Sequence, residues 1–227
     1  MGGHKFFIAG TDTDVGKTLV SQGLLEAAKQ QGLSCFGLKP IAAGCEEGEQ
    51  GLENQDALKI MASSSIKLSY QQVNPIALKA AVAPHVAAAM QGRKLDAQRI
   101  SGFCRGALMN KADFVLIEGA GGWRVPLNNR ETLALIPKEL NLPVILVVGV
   151  KLGCINHALL TVEAIKRDGI ELAGWVANKV DSNMSMSDES VEYLTGAIHA
   201  PLIGIIPYLI DNKAENVSRY LQIERIL

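Results

Sequence analysis

Residues 6 to 18 read Phe-Phe-Ile-Ala-Gly-Thr-Asp-Thr-Asp-Val-Gly-Lys-Thr, and their reading decides the fold. A short apolar run, a Gly-bearing loop and a helix opened by Gly16-Lys17-Thr18 build a cradle for a triphosphate. Backbone N–H groups of the loop and of the helix N-terminus face the phosphates, Lys17 reaches the β/γ oxygens, and the Thr18 hydroxyl can hold Mg²⁺. The spacing is irregular. Five residues separate Gly10 from Gly16, so Thr11 stands where the first glycine of the usual pattern falls.

Outward from this loop, apolar runs recur at Lys5–Ala9, Cys35–Lys39, Phe114–Glu118, Val144–Val150, Leu172–Asn178 and Leu202–Ile206. Near-continuous Val/Ile/Leu runs suit strands buried on both faces of a parallel sheet. Between the first two, Leu19, Val20, Gly23, Leu24, Ala27 and Ala28 keep helical spacing up to Gly32. Further helices are predicted at Ile155–Arg167, stopped by Asp168-Gly169, and at Asp188–His199, ended before Pro201. The expected fold is α/β: a doubly wound, mainly parallel sheet with helices on both faces, of P-loop NTPase type, with residues 1–227 forming one domain. The polar, Gly-rich stretch 44–55 reads as a mobile surface loop. Val217–Leu227 reads as a short amphipathic helix, either docked on the sheet or free for a membrane or partner contact.

The chain has 227 residues, 48% of them hydrophobic, enough for one well-buried core. A net charge of −1 without a Lys/Arg cluster argues against nucleic acid or an anionic membrane as partner. The four cysteines, Cys35, Cys45, Cys104 and Cys154, are widely spaced and read as reduced thiols of a cytoplasmic protein. The four histidines show no ligand spacing, and His85 reads as structural.

In such sheets ligands sit beyond the carboxyl ends of the strands, so polar residues there carry weight. Lys39, before Pro40, either neutralises charge on a transferring phosphoryl group or is a solvated lysine. Glu118, opening Glu-Gly-Ala-Gly-Gly, either holds Mg²⁺ or caps a glycine-rich turn; the glycines let backbone approach a ligand. Asp56 is either a helix N-cap or a second metal carboxylate. Asn178-Lys179-Val180-Asp181 fits the Asn-Lys-x-Asp base-reading segment of GTPases, and fits equally a strand end with a polar turn.

Taken in order, these segments resemble the dethiobiotin synthetase family over nearly the whole chain. They are Gly10–Thr18, Lys39-Pro40, Asn54–Leu58, Val73-Asn74-Pro75, Ala83-Pro84-His85, Glu118–Trp123, Pro143–Ala158, Trp175–Asn178 and Ile206–Leu209. The resemblance implies an ATP- and Mg²⁺-dependent ligase acting on 7,8-diaminononanoate and CO₂ or bicarbonate. One amine captures CO₂ as a carbamate, the carbamate takes the γ-phosphate, and the second amine closes a cyclic urea. It implies that Lys17 and Lys39 serve the phosphoryl group and the carbamate, and that Thr13 and Asp14 line the substrate side of the loop. The nucleotide would lie on Asp14, Val15, Gly16, Lys17, Thr18 and Leu19 and against Gly119, Ala120 and Gly121. Mg²⁺ would be held by Thr18, Asp56 and Glu118. Asn178 and Lys179 would meet the adenine edge, with Pro207, Tyr208, Leu209 and Glu215 beside them. The resemblance also implies a homodimer in which Leu152, Gly153, Cys154, Ile155 and Asn156 of the other subunit bind the substrate's tail carboxylate. Two departures stand out. Ala43 replaces a serine that the family often has after Lys-Pro, and the complete Asn-Lys-x-Asp leaves Asp181 able to accept from guanine. The reading from another class is a nucleotide-controlled switch, GTPase-like or a partition ATPase, although Thr11 and Asp12 stand where partition relatives carry a signature lysine.

Overall fold

The computed structural model describes residues 3–227. Strand β1 (His4–Gly10) leads through the loop into α1 (Lys17–Gln30), then β2 (Cys35–Leu38), β3 (Ile41–Ala43), β4 (Glu46–Gly48) and β5 (Gly51–Glu53). Helices α2 (Gln55–Ser63) and α3 (Tyr70–Val73), strand β6 (Ile76–Leu78), and helices α4 (Pro84–Met90) and α5 (Ala97–Ala107) follow. The second half alternates β7 (Phe114–Gly122), α6 (Leu135–Leu140), β8 (Val144–Val150), α7 (Cys154–Arg167), β9 (Leu172–Lys179), α8 (Ser187–Ala197), β10 (Leu202–Ile206) and α9 (Ala214–Ser218). A 3₁₀ turn at Ile223–Arg225 comes last.

The main sheet runs β10-β9-β8-β1-β7-β2, with every neighbouring pair parallel. Alternation along the strands divides the core. Phe6, Ile8, Leu116 and Val147 pack with Val20, Leu24 and Leu25 of α1, while Phe7, Ala9, Ile117 and Val148 pack with Ile100 of α5 and Ile165 of α7. Each fully buried Leu or Ile contributes about 1.5–3 kcal/mol relative to exposure. The chain passes from β1 to the β2 edge and, after β7, crosses β1 to β8 and the other edge, so the crevice above the carboxyl end of β1 is where a ligand fits.

The six apolar runs all become strands of this sheet. Three expectations need correction. Residues 44–55, expected as a mobile surface loop, contain a largely exposed antiparallel hairpin, β4 on β5. Asp56 is not the N-cap of α2: Asn54 is, its side chain accepting from Asp56 N at 3.1 Å and Ala57 N at 3.3 Å. The C-terminal stretch is not one helix, because α9 ends at Ser218 and Leu221 bridges to Gly204 of β10. It does dock: Val217 and Ile223 are fully buried, and a Cβ on Gly23 of α1 would meet Val217 at 2.5 Å and Leu221 at 2.8 Å. The four cysteines are free and buried. Among the described residues no helix is long and apolar enough to cross a membrane.

Candidate active site

The loop between β1 and α1 is held at its start. Thr11 N donates to Val147 O of β8 at 3.0 Å, and Asp12 folds its carboxylate onto Thr13 N at 2.7 Å. Asp14 and Gly16 adopt left-handed backbone, φ 56° and 88°, which short polar residues and glycine tolerate best. The first intrahelical bond of α1 runs from Val20 N to Gly16 O at 2.9 Å. The N–H groups of Lys17, Thr18 and Leu19 therefore lack an acceptor within the helix and are available to an anion. Lys17 curls back so that Nζ donates to Asp12 O at 2.9 Å. Burial, and then the nearby Lys39 ammonium, draw the Lys17 ammonium down to about 8.

Glu118, 1% exposed, is the hub of the polar network. Its Oε1 accepts from Lys39 Nζ at 2.6 Å and from Thr18 Oγ1 at 2.8 Å, and its Oε2 accepts from Ser21 Oγ at 2.7 Å. Lys39 Nζ also pairs with Asp56 Oδ2 at 3.3 Å and donates to Gly119 O at 3.2 Å. Burial by itself works against the charge on Lys39, but Glu118 and Asp56 outweigh it and hold this ammonium above the ordinary lysine range. Of the alternatives open for Lys39 and Glu118, the solvated lysine and the plain turn cap are thus set aside. The backbone under Lys39 is fixed by residues for which sequence reasoning gave no role. Lys39 N donates to Val73 O, and Lys39 O accepts from Asn74 Nδ2 at 2.5 Å. Tyr70 Oη donates to Asn74 Oδ1 at 2.9 Å and accepts from Asn54 N at 2.7 Å. The Asn54–Leu58 and Val73–Pro75 segments are therefore the scaffold that aims Lys39 and Asp56.

A cavity of about 910 Å³ opens over these groups. Gly16, Lys17, Thr18, Lys39, Asp56 and Glu118 line it, with Thr13, Asp14, Ala120 and Gly121. Ala43, Val82, Pro84, Val125 and Pro126 supply apolar lining, and no hydroxyl stands at position 43. Arg124 also lines it, its guanidinium paired with Asp168 at 2.8 and 2.9 Å. Thr18, Asp56 and Glu118 offer hard oxygen donors of the type Mg²⁺ prefers. Among the described residues no three His, Cys, Asp or Glu side chains cluster for a metal. Such a sparse donor set fits an ion that keeps waters and phosphate oxygens as its remaining ligands.

The remaining expected site residues lie apart from this cavity. Asn178, 4% exposed, turns its amide to the loop, Nδ2 donating to Val15 O at 2.9 Å. Lys179 Nζ pairs with Asp188 of α8 at 2.7 Å. Asp181 accepts from Asn183 N at 2.9 Å and so closes its own turn. Leu19 and Glu215 line a second, open groove along α1 that also meets Thr18 and Lys213. Tyr208 is 52% exposed beyond β10, and Pro207 and Leu209 flank it. The start of α7 lies on the surface, with Gly153 at φ 91° and Leu152 90% exposed.

A family model described as an AAA domain matches residues 4–216. The chain is 56% identical over 222 residues to a Cellvibrio japonicus protein named ATP-dependent dethiobiotin synthetase BioD, covering 98% of this chain and 97% of that one. A Marinobacter nauticus protein of the same name is 51% identical over 232 residues, covering 100% and 99%. Among solved structures, the septum site-determining protein MinD complexed with Mg-ADP from Pyrococcus horikoshii superposes with a TM-score of 0.57. It is 15% identical, with 97% of this chain and 88% of that chain covered. At that identity the likeness is one of fold, a parallel-sheet P-loop NTPase.

Proposed function

The chain belongs to the ATP-dependent dethiobiotin synthetase family, and from that membership we propose how its residues carry out the reaction. As a member it is an ATP-dependent ligase of biotin synthesis. Its substrates are 7,8-diaminononanoate, CO₂ and ATP, taken in the cytoplasm by a chain whose residues 1–227 act as one P-loop domain. A carbamate oxygen attacks the γ-phosphorus. The bond to the β,γ-bridging oxygen breaks, ADP leaves with the electron pair, and a carbamic–phosphoric anhydride remains. The neighbouring amine then attacks the carbonyl carbon, loses its proton and expels phosphate as the cyclic urea closes.

A carbamate is a weak nucleophile and a polyphosphate repels it, so positioning and charge neutralisation carry the rate. Lys17 neutralises the phosphate oxygens from the loop side, and Lys39 faces the carbamate and the transferring phosphoryl group. Thr13 and Asp14 bound the substrate side of the loop. The Asp14–Leu19 segment, with Gly119, Ala120 and Gly121 opposite, seats the phosphates. Thr18, Asp56 and Glu118 would hold Mg²⁺, which supplies charge neutralisation to the phosphates when bound. Asn178, Lys179, Pro207, Tyr208, Leu209 and Glu215 border the base, Lys179 only by releasing Asp188. One observation carries this reading: two buried ammoniums, Lys17 and Lys39, line one cavity together with the apolar side chains of Ala43, Val82, Pro84, Val125 and Pro126. That mixed lining suits a diamine on an alkyl chain. In a homodimer, the start of α7 in a second copy, with its exposed Leu152, would close the cavity and take the tail carboxylate.

The test is dependence on the diamine. Phosphate release from Mg²⁺-ATP is expected only when 7,8-diaminononanoate and bicarbonate are both present. Vigorous hydrolysis unaffected by the diamine would replace this reading with a nucleotide-controlled switch.

A further inference from the structure

We propose that Tyr70 is a positioning residue of the reaction centre. Its hydroxyl ties the backbone of Lys39 to the cap of α2, and so sets Lys39 and Asp56 in one fixed relation. The inference rests on the reading of Lys39 as the ammonium that serves the transferring phosphoryl group.

Neither Tyr70 nor Asn74 lines the cavity, and both are buried. Helix α3 is a single turn with Asn74 as its C-cap, which brings the two side chains together on one face. From there each contact has one assignment. Lys39 O accepts at 2.5 Å and can be met only by the nitrogen end of the Asn74 amide, so Oδ1 of that amide faces Tyr70. The phenol must donate to this oxygen, at 2.9 Å, and its lone pairs are left to accept from Asn54 N at 2.7 Å. Asn54 Oδ1 in turn accepts from Asp56 N at 3.1 Å, and the Asp56 carboxylate returns to Lys39 Nζ at 3.3 Å. The ring of contacts is closed, leaving Lys39 by its carbonyl and coming back to it by its ammonium. Burial pushes the Tyr70 phenol up to about 12, so it keeps its proton at neutral pH and serves as a fixed donor. Glu118 and Gly119 hold Nζ from β7. The ring fixes what they do not reach: the main chain from which Lys39 extends, and the helix that carries Asp56. Taking the hydroxyl away strands two buried partners at once, Asn74 Oδ1 without its donor and Asn54 N without its acceptor.

The experiment removes one oxygen. Phosphate release with Mg²⁺-ATP, 7,8-diaminononanoate and bicarbonate is measured for wild-type protein, Tyr70→Phe, Lys39→Met and the double variant, and thermal unfolding checks each fold. Tyr70→Phe alone is expected to lower kcat by about tenfold or more. In the Lys39→Met background the same change should cost less than about twofold, because the residue it acts through is already gone. Amide exchange at Asn54 and Asp56 is expected to quicken in ligand-free Tyr70→Phe. Asn74→Ala opens the ring at its next link and completes the same cycle should Tyr70→Phe not fold. Wild-type kcat in Tyr70→Phe would overturn the proposal. So would an equal loss in both backgrounds, which would make Tyr70 a packing residue only, or unchanged exchange at Asp56. If wild-type protein releases no phosphate with the diamine and bicarbonate, the assigned reaction fails, and exchange at Asp56 still decides whether Tyr70 holds the ring.

Discussion

The two ends of the expected nucleotide site are built differently. At the phosphate end, buried charges meet one another directly: Glu118 takes Lys39, Thr18 and Ser21, and Lys39 takes Asp56 as well. At the base end, Lys179 and Asp181 are tied to α8 and to their own turn, and the stretch beyond β10 stands in solvent, with Ile210 98% exposed. The contrast has a physical reason. Charges withdrawn from water are tolerable only when paired and hydrogen-bonded, so a phosphate-handling centre must be assembled before its ligand arrives. Such preorganisation is also what lets fixed charges act on a transition state without reorganising. Base recognition needs shape and a few hydrogen bonds, which a surface can supply.

If this contrast holds, damage to the phosphate end is the more severe. Lys39→Ala removes one of two converging ammoniums and leaves Glu118 buried without its counter-ion. Turnover should fall by about a thousandfold or more, with about 3–5 kcal/mol of stability lost. Steady-state phosphate release and urea unfolding measure the two effects. Lys39→Met removes the same charge but keeps most of the volume, and so separates the lost charge from the lost packing. Near-wild-type turnover in that variant would break the comparison.

A smaller effect is expected from pH. Lys17 titrates at about 8 in the folded, ligand-free chain, against an ordinary value of 10.5. A bound polyphosphate restores its charge, so binding should take up about half a proton near pH 8 and more above it. Calorimetric enthalpies compared across buffers of different ionisation heat give that number, and Lys17→Met should abolish it. Between about 8 and 10.5 the unfolded chain binds more protons at this site than the folded one. The contribution of Lys17 therefore makes folding more favourable as pH rises through that window. Lys39, shifted upward, acts in the opposite sense: its contribution is complete below the ordinary lysine value and is lost as pH rises through its folded value.

Legibility in the sequence follows the same division. The loop, the six central strands and the flanking helices announce themselves through Gly16-Lys17-Thr18 and through apolar runs, because buried parallel strands must be apolar on both faces. Lys39 and Glu118 are legible as strand-end residues, but their mutual pairing is not, since they stand 79 positions apart in the chain. Ser21 and Tyr70 carried no signal at all, and Asn74 carried one only as part of a family segment without a role. A serine in a helix or an asparagine before proline looks ordinary until the fold brings an acceptor to it. Asp56 reads from sequence as a possible cap because the cap preference of asparagine and aspartate is similar, while Asn54, two residues earlier, takes that place. The C-terminal helix was overextended, since apolar spacing does not register the bridge from Leu221 to Gly204 that ends it.

The base end offers the smallest expected effect and the sharpest discrimination. Asn-Lys-x-Asp is complete in the sequence, and if it read guanine, removing Asp181 would cut the use of GTP by about one to two orders of magnitude relative to ATP. Instead Asp181 is occupied by Asn183 N, and Lys179 by an Asp188 whose side chain is 83% exposed. An ion pair that open to water is worth about 0–1 kcal/mol. Asp181→Ala and Lys179→Ala should each leave the ATP-to-GTP ratio of kcat/KM within about twofold of wild type. A selective loss of GTP use in Asp181→Ala would mean that the turn opens when nucleotide binds. The base end would then be assembled by its ligand, and the contrast with the prebuilt phosphate end would become one of timing.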